Sequence, residues 1–330
     1  MTAHTKLPSI REVDGRKTLL IEAEKLAKNR NNFRLWFSVG CLYGGLIVCF
    51  FTVTYVRQAE VLKMCFLPLF IMIGWLQYAI VQAMHEAIHQ VSKRSKYQFF
   101  LADLLLFYAV GLKPSYRRIH WEHHKFFGSM EHDPDAVVYR RFPHSKCQLL
   151  SNLILNFFGL MAVVQLFRQH FNFQLKVAAK HHRKKHSGEL NQLLILCLVQ
   201  LTIAGIISLY SSWLDYVLFW LLPLLTLVKT LSYIRVLAEH GDDKNTHALR
   251  SFSGSWAARY LFGPFGFAFH AEHHWFPNVP YYKLPQLSAQ IKTTGAVPKQ
   301  GDALEHLSYS HAYLIYLWFC QLPWCRRKQP

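Results

Sequence analysis

Nine histidines of this chain fall into four short groups whose spacing is typical of metal ligands. Two lie in HEAIH, three in HWEHH, one in AEHGDD and three in HAEHH. On a helix, residues three or four positions apart lie on one face, so the histidines of one group can bind the same ion. The nine candidate ligands are His85, His89, His120, His123, His124, His240, His270, His273 and His274.

The nature of these side chains narrows the choice of metal and the number of ions. Neutral imidazole binds iron, zinc, copper and nickel. Nine histidines are too many for one ion, and they fit two ions with about four or five ligands each. Since neutral histidines bring no negative charge, we expect a bridging oxide, hydroxide or carboxylate between two such ions.

Seven further polar residues adjoin or closely follow the candidate ligands. A sequence neighbour is rotated by about 100° on a helix, which favours a hydrogen bond to a ligand histidine over direct binding to the metal. The alternative for each is a solvated charge or a turn residue. These supporting candidates are Glu86, Glu122, His132, Asp133, Asp135, Glu239 and Glu272. Other histidines, among them His306 and His311, are predicted to be surface or interfacial residues.

Long apolar blocks indicate that membrane helices position these groups. Hydrophobic residues make up 52% of the 330 residues, and aromatic residues make up 15%. Four blocks are each close to the roughly 20 residues that a helix needs to cross the hydrocarbon core. The predicted spans are 35–56, 65–84, 193–210 and 213–232.

Three further blocks are shorter or interrupted by polar residues. Residues 99–112 contain Asp103 and are predicted to lie at the interface or to enter the membrane only in part. Residues 149–168 are predicted to form an interfacial or re-entrant helix. Residues 312–324 are predicted to form a final interfacial helix.

The distribution of basic residues predicts the orientation of the spans. The formal net charge is +18, and of the 37 Lys and Arg, 8 precede the first span, 16 lie between the second and third, and 11 follow from Lys229 onward. By the positive-inside rule, both termini and the middle loop are cytoplasmic, so all four histidine groups lie at one membrane face. A basic chain can also bind nucleic acid, but the apolar blocks favour the topological explanation, and no nucleic-acid partner is expected.

The N-terminal region and the cysteines indicate how the chain is divided into segments and domains. The first 34 residues are polar and basic, and the first apolar block is too long for a cleaved signal, so it is expected to act as an anchor. The seven cysteines include no CxxC pair and suggest no disulfide framework. We predict a cytoplasmic segment, residues 1–34, followed by one membrane domain, residues 35–330.

The sequences HEAIH, HWEHH and HAEHH together resemble the three histidine boxes of the membrane fatty acid desaturase superfamily. The resemblance runs from about Trp75 to Leu284. It implies an all-α integral membrane fold, with four transmembrane helices in two hairpins and a cytoplasmic helical cap that holds a di-iron site. It also implies that all nine histidines are iron ligands, with His240 as the additional ligand that precedes the third box in acyl desaturases.

The resemblance further implies the reaction and its participants. The expected activity is O2-dependent desaturation of a fatty acyl chain of a lipid or acyl thioester, with two iron ions as cofactor. The expected partners are the acyl substrate in the membrane, a separate electron donor of the ferredoxin or cytochrome b5 type, and an acyl carrier protein as a further option. The donor must be separate because the sequence has no HPGG segment of the cytochrome b5 type. The first box has Glu after its first histidine, where many family members have Asp.

Three alternatives remain open at this point. A hydroxylase or ketolase acting on a lipid or another small apolar molecule would use the same fold. A membrane metalloprotease would use HEAIH as an HExxH motif with Glu86 as the base, which leaves the other two boxes unexplained. A metal transporter would place its ligands near the bilayer midplane, whereas these groups lie at helix ends.

Overall fold

The computed structural model of this chain describes most of the sequence. The described residues are 10–28, 30–92, 94–129, 131–135, 142–164, 183–241, 248–294 and 304–324. The basic run 180–185 and the histidines His4, His170, His181, His182, His186 and His247 lie outside the described side chains.

Four described helices are long and apolar enough to cross a membrane, and they contain the four apolar blocks predicted as spans. They are Asn32–Gln58, Lys63–Gln90, Gly188–Tyr210 and Trp213–His240. The second and fourth helices continue past the predicted ends of their apolar blocks, and these extensions carry His85, His89 and His240. The chain is therefore a mostly helical membrane protein in which two spans lead directly into histidine groups.

The elements follow one another as helices with one small sheet. The first half contains α1 (Ile10–Lys28), α2 (Asn32–Gln58), a 3₁₀ turn (Glu60–Cys65), α3 (Phe66–Gln90), α4 (Lys96–Ala102), a π-helical turn (Asp103–Phe107), a 3₁₀ turn (Tyr108–Val110) and α5 (Tyr116–Phe126). The middle contains α6 (Lys146–Phe157), α7 (Arg183–Tyr210), α8 (Trp213–Asp215), a π-helical turn (Tyr216–Leu221), α9 (Leu222–Leu225) and α10 (Leu227–His240). The last part contains β1 (Leu249–Ser251), a π-helical turn (Ala257–Phe262), a 3₁₀ segment (Pro264–Phe269), α11 (His270–Trp275), a 3₁₀ turn (Tyr281–Lys283), α12 (Leu284–Thr294), β2 (Leu304–His306) and α13 (His311–Gln321). The two strands pair in parallel, with Leu249 opposite Leu304.

The first span shows how the spans pack against one another. The Asn31 side chain caps α2 by accepting a hydrogen bond from the Phe33 amide at 2.9 Å. The buried residues of α2 recur every three or four positions, which forms one stripe that faces the other helices. Gly45 permits a close approach, because a Cβ there would lie 3.3 Å from a Leu76 methyl group. Large apolar side chains such as Phe37, which is 62% exposed, cover the opposite face and suit contact with lipid.

A glutamine inside the third span joins it to the segment after α4. The Gln200 side-chain amide donates to the carbonyls of Tyr108 and Ala109 at 2.7 and 3.0 Å, and its oxygen accepts from the Tyr216 hydroxyl at 3.1 Å. A polar side chain in an apolar surrounding is costly unless it is hydrogen-bonded. These bonds therefore fix α7 against residues 103–110 and the start of the fourth span.

The described part of the segment predicted as an interfacial or re-entrant helix, 149–168, lies alongside the fourth span, and its helix α6 ends at Phe157, while residues 165–168 lie outside the described residues. Its described core, α6, contacts α10 where the Asn152 side chain donates to the Tyr233 hydroxyl at 3.1 Å. Further along, Gly159 adopts φ +72°, and a Cβ there would lie 3.2 Å from the carbonyl oxygen of Leu225. The two helices thus run antiparallel, which is the arrangement that a re-entrant helix would have.

The C-terminal helix α13 packs behind α10 in a compact apolar cluster. The cluster joins Phe142, Leu149, Leu237, Phe252 and Leu314. Each fully buried side chain of this size stabilises the fold by about 1.5–3 kcal/mol. This packing holds the last described helix against the end of the fourth span, next to His240.

The N-terminal helix packs onto the region that follows the third histidine box. Leu19 and Leu26 of α1 contact the buried face of α12, which includes Leu287. The Lys283 ammonium group also donates to the Leu26 carbonyl at 3.4 Å. The division into residues 1–34 and 35–330 stays a prediction, and α1 contacts the later part of the chain directly.

Candidate metal centre

Four elements bring the histidine groups together. The last two turns of α3 carry His85 and His89, and the last residue of α10 is His240. Helix α5 carries the HWEHH box, and α11 carries the HAEHH box. The Arg117 guanidinium helps to position α5, because it pairs with Asp103 and lies 4.1 Å from the ring centroid of Phe99.

A tight turn places the third box beside the first. Phe265 and Gly266 adopt φ values of 55° and 75°, and a Cβ at Gly266 would lie 2.9 Å from the Tyr281 carbonyl oxygen. Glycine is favoured there because it adopts positive φ without a steric penalty. The turn brings the Phe267 ring to 4.3 Å from the His85 ring, measured between centroids.

Five histidines form the first group of converging ligand atoms. His85, His89, His120, His124 and His273 each offer one nitrogen, and these atoms all lie within 4.8 Å of one another. The Nε2 atom of His120 lies 2.8 Å from that of His89 and 2.9 Å from that of His124. Two nitrogens bound at right angles to one ion, with bonds of about 2.0–2.1 Å, lie about 3 Å apart. The spacing therefore fits a single metal ion.

Four histidines form the second group. The ligand atoms of His123, His240 and His274 lie within 4.8 Å of one another, and those of His240, His270 and Glu239 do so as well. The Nε2 atoms of His240 and His270 are 2.8 Å apart. The ring centroids of His270 and His274 lie 4.5 Å apart. His240 is common to both sets, so the four imidazoles lie together as one group beside Glu239.

The two groups adjoin each other because α5 and α11 contribute to both. Within HWEHH, His124 belongs to the first group and His123 to the second. Within HAEHH, His273 and His274 divide in the same way. The rings of His124 and His274 lie 4.4 Å apart across the boundary between the groups. The histidines thus form two neighbouring groups, one of five and one of four candidate ligands.

Burial keeps these imidazoles in the form that binds metals. It lowers the pKa of His120, His270, His273 and His274 well below the usual range, and it lowers the pKa of His124 to about 2. A neutral imidazole has a free lone pair for a metal. The Nε2 atoms of His273 and His274 are buried and have no hydrogen-bond partner among the described residues. Such atoms are costly unless they bind something, so the site fits metal ions.

Comparison with known proteins agrees with this geometry. The sequence pattern that defines the fatty acid desaturase family matches residues 62–307, which include all nine histidines. The chain belongs to the fatty acid desaturase family. The family implies an oxidoreductase that uses iron, a lipid substrate and an electron donor.

One similar curated protein is dihydrorhizobitoxine desaturase from Bradyrhizobium elkanii. The two sequences are 24% identical over 228 residues, which cover 65% of this chain and 64% of the relative. The chain therefore spans slightly less than two thirds of that relative's length. No solved structure in the comparison matches the chain.

Asp133 and Glu239 lie directly behind candidate ligand histidines of this desaturase family member. The Asp133 carboxylate is fully buried and lies 2.9 Å from Nδ1 of His123. Glu239 Oε2 lies 3.5 Å from Nδ1 of His270 and accepts a hydrogen bond of 2.6 Å from Arg235 Nη1. A carboxylate behind a ligand histidine fixes which ring nitrogen faces the metal and makes that nitrogen more basic.

The other supporting candidates have different partners. Glu86 accepts a hydrogen bond from the Tyr281 amide at 2.9 Å, and Glu272 accepts one from the Ser251 hydroxyl. Glu122 is 39% exposed and pairs with Arg118 on the surface. The exposed His132 contacts Ser129 rather than a ligand histidine. Asp135 is half-buried, and burial raises the pKa of its carboxyl group.

Two residues near the centre were not among the candidates that the sequence pattern indicates. His311 was predicted to be a surface or interfacial residue, and this is wrong, because its side chain is fully buried next to Glu239. Arg235 pairs with Glu239, and its guanidinium lies 4.4 Å from the Phe267 ring centroid. The only sequence signal for His311 is its place at the start of an apolar helix, and that signal does not show which neighbours it meets.

Replacing Asp133 by Asn is expected to weaken metal binding by the group that contains His123. The change removes the negative charge behind His123, and losing such a partner costs roughly 10–100-fold in metal affinity. Iron per chain would be measured after equilibration with graded concentrations of a chelator. Glu122→Gln is the matched control, because Glu122 also adjoins His123 but points to the surface. Equal iron retention in both variants would contradict a role for Asp133.

Proposed function

We propose that this chain is an O2-dependent di-iron desaturase that acts on a fatty acyl chain of a lipid or acyl thioester. The observation that carries this proposal is the division of nine histidines, seven of them buried, into neighbouring groups of five and four. One iron would bind to His85, His89, His120, His124 and His273, and the other to His123, His240, His270 and His274. This proposal keeps all nine predicted ligands and gives each a place.

Two bound irons would supply the oxidising power that removal of hydrogen from an unactivated alkyl chain requires. In the overall reaction, O2 takes two hydrogens from the alkyl chain, and with two electrons and two protons from elsewhere it ends as two water molecules. The chain's own residues hold the metals, and Asp133 and Glu239 orient ligand imidazoles. Phe267 covers His85 and helps to keep water away from the site.

We further propose the two-hairpin arrangement with a cytoplasmic cap and cytoplasmic termini. The ends of α3 and α10 meet at the histidines, which supports a common side for the C-terminal ends of spans two and four. Most of the basic residues lie in the segments that this arrangement assigns to the cytoplasm. The separate electron donor, of the ferredoxin or cytochrome b5 type, and any acyl carrier protein would then approach the cap from the cytoplasmic side, where these basic residues lie.

An apolar cavity between the spans supports an alkyl substrate. Its volume is about 630 Å³, and its walls come from α2, α7, the start of the fourth span and residues 104–109. Two polar side chains in its lining bond within the protein: the Tyr43 hydroxyl donates to the Leu105 carbonyl, and the Thr202 hydroxyl donates to the Leu198 carbonyl. Most of the other lining side chains are aliphatic or aromatic, which suits an acyl tail.

The cavity lies on the membrane side of the histidines. The carbonyl of Trp220, a lining residue, accepts a hydrogen bond from Gln77. Gln77 precedes His85 by eight residues on α3, which is about 12 Å along a helix. A chain that reacts at the metal centre could thus extend its tail toward this cavity.

Ile203→Trp is expected to lower turnover of a long-chain acyl substrate by about tenfold or more, because steric changes in an apolar pocket commonly have that effect. Ile203 lines the cavity, and the larger indole would fill part of it. Turnover and iron content would be compared with those of Leu201→Trp, a control on the same helix whose side chain is 68% exposed and lies outside the cavity lining. Equal turnover in both variants would show that the substrate does not use the cavity.

The decisive experiment identifies the product. The purified, iron-loaded protein would be given an acyl substrate, O2 and a reducing system, and the products would be analysed by mass spectrometry. Loss of two hydrogens indicates a desaturase, whereas gain of an oxygen atom indicates a hydroxylase and contradicts the proposal. The similar protein from Bradyrhizobium elkanii is named for dihydrorhizobitoxine, so the assay would also include small substrates that are not fatty acids.

A further inference from the structure

A buried histidine of the C-terminal helix lies behind the four-histidine group. His311 is the first residue of α13, and its Nε2 atom lies 3.5 Å from Glu239 Oε1. Its ring stacks on Phe252 with a centroid distance of 3.9 Å, and it lies 5.5 Å from the ring of Phe262. His311 follows the segment 62–307 that matches the family, so the family comparison assigns it no role.

Glu239 connects this histidine to a candidate ligand. One carboxylate oxygen, Oε2, lies 2.6 Å from Arg235 Nη1 and 3.5 Å from His270 Nδ1. The other oxygen, Oε1, faces His311. The side chains of Glu239 and His311 are fully buried, and that of His270 is 4% exposed. The three groups therefore form a continuous row inside the protein.

Arg235 alone would not hold Glu239 in the orientation that His270 needs. Both residues lie on α10, one turn apart, and the arginine contacts the same oxygen that faces His270. A carboxylate with a partner at only one oxygen can rotate about the bond that joins it to its side chain. A second partner on the other oxygen, supplied from a different helix, restricts that rotation.

We infer that His311 is a positioning residue for the four-histidine metal site. The Nε2–H group of His311 lies 3.5 Å from Glu239 Oε1 and would donate to it, and Oε2, 3.5 Å from His270 Nδ1, would then accept the Nδ1–H of His270. His270 then presents Nε2 toward His240, the arrangement in which the second nitrogen of a ligand histidine donates to a carboxylate. Phe252 and Phe262 confine the ring of His311 and fix the direction in which its nitrogen points. The inference rests on the proposed di-iron site.

The inference makes a prediction that is specific to one of the two sites. Glu239 adjoins His240 and His270, which both belong to the four-histidine group. Loss of His311 is therefore expected to change the iron in that group and to leave the iron in the five-histidine group unchanged. A residue that only packs in the core would affect both sites together, through the stability of the fold.

The test uses His311→Leu and His311→Gln in the full-length, metal-free protein, reloaded anaerobically with isotopically enriched Fe²⁺. Leucine fills the space without a donor, whereas glutamine offers an amide N–H. Mössbauer spectroscopy would distinguish the two irons, and a His240→Ala variant would identify the signal of the four-histidine site. We expect that signal to shift or to weaken in His311→Leu, with roughly 10–100-fold lower affinity for one iron, and to recover in His311→Gln.

Several outcomes would overturn the inference. They are two unchanged iron signals in His311→Leu, equal loss of both signals, or a glutamine variant that behaves like the leucine variant. His132→Leu, at an exposed histidine, serves as the control and is expected to match the original protein. Failure of the unaltered protein to bind two irons would instead contradict the proposed function, so the two failures are distinguishable.

Discussion

His120→Ala and His273→Ala are each expected to abolish turnover as completely as His85→Ala. The three histidines come from three different elements, yet their ligand atoms lie within 4.8 Å of one another in the five-histidine group. Removing one takes away a direct ligand, and the loss should exceed the roughly 10–100-fold that removal of a hydrogen-bonding partner behind a ligand costs. Turnover and iron per chain would be measured together for each purified variant.

The comparison also separates the proposed centre from a protease built on the first box alone. In a site of the HExxH type, His85 and His89 would suffice with Glu86 as base. Glu86 instead accepts a hydrogen bond from the Tyr281 amide, and the other boxes converge on the same place. Near-normal turnover in His120→Ala or His273→Ala would contradict the di-iron assignment. His132→Ala, which alters an exposed histidine, is expected to retain activity.

Acid is expected to destabilise the metal-free protein strongly. The pKa values of His120, His270, His273, His274 and His311 are lowered by burial. In the unfolded chain, histidine binds protons below about pH 6.5, whereas these buried histidines stay neutral to a lower pH. The free energy of unfolding therefore falls as the pH drops below about 6.5, by up to about 1.4 kcal/mol per pH unit for each such histidine.

Iron should protect against this loss of stability, because a bound metal competes with protons for the same nitrogens. The measurement is the unfolding temperature in detergent from about pH 8 to about pH 5, with and without iron. We expect the metal-free protein to lose stability steeply as the pH falls, and the iron-loaded protein to lose it at lower pH. An unfolding temperature that does not depend on pH in the metal-free protein would show that these histidines are not buried and neutral.

Local pattern explains which features were predicted correctly. The four spans follow from blocks whose length and apolarity suit a bilayer, and the structure extends two of them to His89 and His240 without a break. The face shared by residues three and four positions apart depends only on helix geometry. The sequence alone therefore predicts the type of the candidate ligands and their grouping within each box, because neither depends on tertiary contacts.

Contacts between residues far apart in the sequence explain why the sequence pattern did not predict the surroundings of His311 and His132. His311 meets Glu239 only because α13 packs behind α10 through Leu237, Leu314 and their neighbours. His132 was a plausible partner for a ligand by sequence distance, yet the turn after α5 directs Asp133 inward and leaves His132 exposed. Among neighbouring polar residues, the fold decides which side chain is buried.

The sequence by itself determined the chemistry that this protein can host: histidines at helical spacing, spans that end beside them, and a family pattern that covers most of the chain. The tertiary structure decided how the histidines divide, because adjacent pairs in HWEHH and HAEHH point to different sites when α5 and α11 pack together. It also decided that Asp133, Glu239 and His311 stand behind the ligands. The physical reason is that spacing along a helix sets direction, whereas distance between helices depends on packing across the whole chain.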